Sequence, residues 1–370
     1  MTRHDRAACS PRGRRRLLLF VLPVVACTGA IEGPPNDEPA PRPPNDTPEG
    51  GAGGTKPIVE VPKPPAPRCR PSARPAGSPP LRRLTRAEYD HTVADLLGDT
   101  SAPARAFPAD QVVLGFDNNV EAAPASALLV DQFELAAERL AKKATQDAIA
   151  FLGCNPSSGD DCVRGFVTRF GRRAFRRPLS EEERTRLLSF YVAAKAKYDA
   201  PTGVRMLVQA MLQSPHFLYR VEGPVADAAP SPVTSYERAS RLSYLIWSSM
   251  PDDALFAAAE ADALRTPEQI LRHVERMLAD PRARQGLLGF FDQWLTLGRV
   301  EVAQKDPATY PAWNPMLAAA MRKETQTFVT ELVLRGDGTL KSLLTSPKSH
   351  LDEALARLYG VPGVTGSTSR

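Results

Sequence analysis

Histidine is scarce in this sequence: five in 370 residues, of which His91, His216, His273 and His350 follow the first 26. A zinc hydrolase built on His-Glu-x-x-His needs two histidines on one helix face, and a serine or cysteine nucleophile needs one as its base. Histidine chemistry therefore has little material here. The string His-Glu-x-x-His is missing, as are Cys-x-x-Cys-His for a covalently attached haem, Gly-x-Ser-x-Gly for a nucleophile elbow, a phosphate-cradling glycine loop and a dinucleotide fingerprint. The chain is not itself a c-type cytochrome, and no cofactor and no metal site is expected. Alternating strand-like text is rare, its best run being "HFLYRVE" at His216–Glu222, and no repeat of solenoid period is evident.

What is present begins with an address. Arg12, Arg14, Arg15 and Arg16 precede an apolar run from Leu17 to Ala26. That run is about half the length a helix needs to cross a bilayer, which marks an export signal. It ends in Val24-Val25-Ala26-Cys27, which resembles the bacterial lipobox that is cut before cysteine and acylated on it. Residues 1–26 are thus expected to be a lipoprotein signal peptide, with Cys27 lipidated and the mature chain anchored to a membrane, in the periplasm or at the cell surface. Plain secretion is the alternative.

The formal charge of +5 belongs to that signal. Taking its six arginines and one aspartate from 47 basic and 42 acidic residues leaves 41 of each sign. The mature chain is near neutral and gives no footing for nucleic acid. Of five cysteines, Cys9 lies in the signal and Cys27 at the lipobox. Cys154 and Cys162 bracket the turn-rich "NPSSGDD", and export favours a disulfide between them. Cys69 is left free, or pairs outside the chain.

From Thr28 to Pro80 the chain holds 16 of its 36 prolines and few large apolar side chains. Such a stretch cannot bury enough surface to offset its ordering entropy, so residues 27–80 are expected to be a disordered, proline-rich tether. The text after Pro80 is helical. Thr85 with Glu88, Ser180 with Glu183 and Thr234 with Glu237 have capping-box spacing; Thr266 is followed by Pro267 at the first helical position. Helical apolar spacing also runs from Ser126 to about Ala150, through "QGLLGFFDQWLTL" and through "MLAAAMRKETQTFVTELVL". Roughly ten helices with little strand predict an all-α, multi-helical body of two packed subdomains, divided near Gly223–Pro232.

The phrases "LRRLTRAEYDHTVADLLGD", "FGRRAFRRPLSEEE", "MLQSPHFLYRVE", "SYERASRLSYLIWSSMPDDALFAAAEADAL" and "LARLYGV" together resemble successive signatures of exported planctomycete-type proteins. These are built from domains of unknown function, the family numbered 1592 with neighbours 1587, 1595 and 1588. The resemblance divides the chain into residues 81–225 (1587-like and 1595-like), 226–345 (1592-like) and 346–370, the start of a shortened 1588-like domain. It implies an extracytoplasmic helical protein whose relatives are sometimes joined to cytochrome-c-like or carbohydrate-binding modules, and no activity comes with it. Asp90-His91 stands where the family usually has Asn-Asn, which puts a polar role for that pair in doubt.

Each polar candidate has two readings. Asp292, between Phe291 and Gln293 on a helix, is either a part-buried general acid or a carboxylate paired to arginine. Glu324 and the pair Asp252-Asp253 are the other carboxylates available for acid and base work; the pair also fits a helix N-terminus, where it complements the dipole. His216 suits a structural bond to a carbonyl. Arg172, Arg173, Arg176 and Arg177, knotted around Phe175, offer an anion or partner contact, or pairing with glutamates. Trp313, Trp247 and Trp294 could stack on sugars, the last two having the spacing of core residues. The export signal and the absence of a catalytic string predict a non-catalytic binding or scaffold module, and the resemblance implies a partner that is an envelope protein, a redox module or a polysaccharide. The alternatives are an extracytoplasmic enzyme acting on polysaccharide and a truncated, nonfunctional remnant.

Overall fold

The computed structural model describes residues 81–119, 125–222 and 233–366, all within one compact unit. The segments expected to be signal peptide (1–26) and tether (27–80), with Cys27 and Cys69, and the division expected at 223–232 lie outside the described residues. The fold is all-α: fifteen helices and one two-stranded sheet among the described residues. No described helix is long and apolar enough to cross a membrane.

The first half runs β1 (Arg82–Arg83), α1 (Arg86–Leu97), α2 (Ala127–Ala144), α3 (Ala148–Leu152), α4 (Asp160–Phe175), α5 (Glu181–Lys197), α6 (Ala200–Gln213), the single turn α7 (Pro215–Leu218) and β2 (Tyr219–Arg220). The second half runs α8 (Ser235–Trp247), α9 (Asp253–Glu260), α10 (Pro267–Ala279), α11 (Arg282–Trp294), α12 (Gly298–Glu301), α13 (Pro315–Leu334), α14 (Leu340–Thr345) and α15 (Glu353–Tyr359). The four predicted starts are observed. Thr85, Ser180, Thr234 and Thr266 each accept the backbone N–H three residues on, and the side chain at that position accepts the N–H of the cap in return. Gly98 ends α1 in the left-handed conformation, φ 70°, that a side chain resists.

Helix α6 packs against α2 and α5, and a large apolar core from Leu84 to Leu218 fills the first half. Tyr89 of α1 sits in it with Phe107 at 5.0 Å and Phe217 at 5.8 Å. A disulfide joins Cys154 to Cys162, closing the loop ahead of α4. The second half has two smaller cores, one around Trp247 and Leu255 and one around Leu317 and Leu355. The run "HFLYRVE" is divided: α7 takes its start, and only Tyr219–Arg220 is strand, paired antiparallel with Arg82–Arg83.

The halves are joined by apolar and polar contacts together. Tyr244 of α8 belongs to the first core, and its hydroxyl lies 2.9 Å from the Thr92 hydroxyl of α1. Ser249 donates to Asp95 at 2.6 Å, and Arg173 reaches Asp253 at 2.7 Å. Arg282 lies 3.7 Å over the Trp247 ring and 3.6 Å from Asp95. These part-exposed ion pairs and the buried Thr92–Tyr244 hydroxyl contact together fix how α1 faces α8 and α11.

Candidate functional site

Between the halves lies a cleft of ≈ 490 Å³. One wall is α1 with the short sheet, the other is α8 with α11, and a tight turn at Val113–Phe116 stands at its edge. The turn needs left-handed backbone at Leu114 and Gly115, with φ 53° and 88°. That conformation costs a non-glycine residue about 1 kcal/mol or more.

Glu88 projects into the cleft while closing the capping box of α1 through the Thr85 N–H, at 2.9 Å. Burial pushes its carboxyl up; Arg220, 4.0 Å away, and the Thr85 N–H pull it back in part, and the nearby Asp117 adds to the rise. Asp117 follows the turn. Burial and then Asp110 push its carboxyl up, and the Gln293 side chain opposes them. Gln293 also accepts the Asp117 N–H at 2.9 Å, so α11 grips the turn. No ion pair holds Asp117 among the described residues. His91, beside Glu88, has Nδ1 3.3 Å from the Ser248 carbonyl, and burial lowers its pKa.

Arg220 stands over the Tyr244 ring at 4.8 Å, and its Nε is buried without a partner. Arg241 is bound to Glu222 at 2.5 and 2.9 Å. Beneath them Arg176, 4% exposed, gives one guanidinium nitrogen to the carbonyls of His216, Phe217 and Tyr219 at 2.7, 3.0 and 2.8 Å. It pins the strand that carries Arg220. The arrangement offers donors from arginine, acceptors from carboxylates and amides, and ring faces from Tyr244, Phe116 and Phe290. It can hold a polar ligand of small-molecule size.

The site residues singled out in the sequence lie outside this cleft; Arg173 meets Asp253 and Arg177 meets His216, while Asp292 and Glu324 have other partners. Asp292 accepts from Arg322 at 2.7 Å and Gln326 at 2.9 Å, which matches its arginine-paired reading. Glu324 accepts from the hydroxyls of Ser349 and Tyr359. Asp252 caps α9 and pairs with Arg276, while Asp253 pairs with Arg173. Of the basic knot, Arg172 pairs with Glu260, Arg177 with Glu183, and Arg176 is the buried hub just described. His216 sits between Glu183, 3.2 Å from its Nε2, and Arg177, 3.3 Å from its Nδ1, rather than on a carbonyl; burial lowers its pKa. Trp247 is core, but Trp294 is 43% exposed, against the core placement its spacing predicted. Among the described residues no group of three or more His, Cys, Asp or Glu could hold a metal ion.

Sequence reasoning read Glu88 only as a cap and did not single out Asp117, Arg220 or Phe290. The one local signal was the Leu114-Gly115 turn between Val113 and Phe116, which could have marked residues 116–118 as displayed.

Three family models match the chain, each described as a protein of unknown function: DUF1587 over residues 82–146, DUF1595 over 162–222 and DUF1592 over 233–361. The segment from residue 346 that resembles a further domain lies inside the last match as far as 361. No curated protein and no solved structure matches the chain. Each matched region gives the cleft a charged side chain: Glu88 and Asp117 from the first, Arg220 and Glu222 from the second, Arg241 from the third. The chain thus carries, in order, regions that match the DUF1587, DUF1595 and DUF1592 models, between residues 82 and 361.

Proposed function

We propose that the chain is an exported lipoprotein, held to an envelope membrane through Cys27, whose helical body is a non-catalytic binding module with its ligand seated in the cleft. The observation that carries this reading is that one cleft takes charged groups from all three matched domains and is walled by elements already locked together. Asp292, Asp252 and Asp253 are bound to arginine and Glu324 to two hydroxyls, which leaves them poorly suited to acid and base work. The partner is an envelope component: a polysaccharide, a redox module or another envelope protein.

Mass spectrometry of the N-terminal peptide from host membranes tests the address. Acyl-glyceryl Cys27 is expected, with Cys27→Ala released from the membrane; an unmodified N-terminus in the cytosol refutes it. The cleft is tested by screening small polar compounds for a rise in melting temperature. A rise that Arg241→Ala abolishes is expected, and a rise indifferent to Arg241→Ala refutes the placement.

A second reading, an extracytoplasmic enzyme acting on polysaccharide, is favoured by one observation: Glu88 and Asp117 share the cleft, and burial biases both toward the protonated form. Release of reducing ends from oligosaccharide by the wild type, absent in Asp117→Asn, would establish it.

A further inference from the structure

The cleft continues outward along a row of rings. Phe116 and Phe290 both line it, with centroids 5.7 Å apart and planes within 21°. Phe290 is followed on the next turn of α11 by Trp294, at 5.8 Å and 30°. Phe290 thus stands between the other two rings in contact, inclined to them by 21° and 30°. Phe290 is 49% and Trp294 43% exposed, so the fold does not use these rings as core. The row is nonetheless held firmly. Buried Phe291 meets Phe290 edge-on at 5.2 Å and Trp294 at 5.5 Å, and Gln293, between the two exposed rings in sequence, grips the turn that carries Phe116 and Asp117.

A rigid, half-exposed row of rings, with amide and carboxyl groups along it, matches a ligand that has both apolar C–H faces and a rim of hydroxyls. A sugar chain has that surface, and its repeat along an extended chain is comparable to the spacing of these rings. The charges lining the cleft decide between sugar classes. Arg82, Arg220 and Arg241 are matched by Glu88, Asp117 and Glu222, so the site has no excess of positive charge to attract an acidic glycan or a nucleic acid. A flat apolar protein surface would leave these six charged groups desolvated against it, at a cost.

We propose that the cleft and the row Phe116–Phe290–Trp294 form one elongated site for a neutral oligosaccharide, its end held among the charged groups and its following sugars laid across the rings. This rests on the reading of the cleft as a binding site, and it names the ligand class and a second set of subsites on α11.

The test is calorimetric titration of the full chain with cellohexaose, xylohexaose, mannohexaose and chitohexaose, and with the trisaccharide of each. One hexasaccharide should bind more tightly than its trisaccharide. Trp294→Leu, which keeps apolar mass over Phe291 and removes the ring, should weaken the hexasaccharide about five- to tenfold and leave the trisaccharide within twofold. Phe290→Ala should do the same, and melting curves of both variants check that they are folded. Arg241→Ala should weaken both chain lengths. The inference is overturned if no hexasaccharide binds, or if folded Trp294→Leu and Phe290→Ala both leave hexasaccharide affinity within twofold. If instead a small polar compound that is not a sugar binds and requires Arg241, the glycan inference fails and the cleft reading stands. If a hexasaccharide binds with no dependence on Arg241, Trp294 or Phe290, both fail.

Discussion

Gly286→Ala tests how closely the cleft wall is built. Helix α11 meets α8 at Gly286, where an added Cβ would stand 2.2 Å from the Ile246 carbonyl oxygen and 2.8 Å from its carbon. Both are backbone atoms of a helix and cannot rotate aside, so α8 and α11 must separate. Overpacking of this kind costs about 1–3 kcal/mol, and a rigid backbone neighbour places it near 3 kcal/mol. Alanine returns about 1 kcal/mol through its helix propensity, which leaves a net loss of about 2 kcal/mol. Gly289, three residues on in the same helix and also lining the cleft, has nothing within 4 Å of its added Cβ. Gly289→Ala should keep only the propensity gain, about 0.5–1 kcal/mol. Urea denaturation of both variants against the wild type gives the answer, provided the slopes stay equal. Two variants of the same sign, or a Gly286→Ala as stable as the wild type, would refute the claim that backbone contact sets this wall.

Three further perturbations act elsewhere. Replacing Cys154 and Cys162 by alanine opens a loop with a sequence separation of 8 and should cost about 2–3 kcal/mol by the loop-entropy argument, read as a lower urea midpoint; no change would count against the bridge. The hydrogen bonds from Arg177, with the Ser180 N–H, hold the Glu183 carboxyl down to about 2 against its burial. Its folded pKa is depressed, so its stabilisation is whole above pH 4.5 and is lost as pH falls through about 2; the wild type's advantage over Glu183→Gln should shrink across that window, and an advantage unchanged with pH would refute the pairing. Asp117 has the opposite sign. Its folded pKa is raised by burial, so its contribution is favourable below pH 3.8 and is lost as pH rises through the folded value; Asp117→Asn should be more stable than wild type at pH 7 and not at pH 3, and equal melting temperatures at pH 7 would contradict it.

The helices were legible because their signals are local. A threonine or serine with an acceptor three residues on marks α1, α5, α8 and α10 without knowledge of the fold, and Gly98 marks a helix end. The sheet was misread for the opposite reason. "HFLYRVE" alternates like a strand, but Pro215 at a first helical position starts α7, and Tyr219–Arg220 pairs with residues more than 130 positions earlier. Trp294 was misplaced because the apolar side of α11 carries more rings than its packed strip can cover. Phe291 is buried and Phe290 and Trp294 are exposed, a difference that periodicity cannot supply when both faces carry rings. The site was legible only in fragments. Glu88, Asp117, Arg220, Arg241 and Phe290 meet through packing of three domains, and their spacing in sequence has no period. Of the carboxylates that looked available in the sequence, Asp292, Asp252 and Asp253 have arginine at hand and Glu324 has two hydroxyls, since pairing across helices leaves no sequence trace either.

If one ligand engages all three domains at the cleft, hydrogen–deuterium exchange reads it directly. The full chain would be exchanged alone and with each of the four hexasaccharides at millimolar concentration. One of them should slow exchange together in peptides covering residues 84–91, 113–119, 219–222, 241–248 and 285–294, and leave α5 and α15 unchanged. Protection by none of them, or protection confined to α13 to α15, would contradict it.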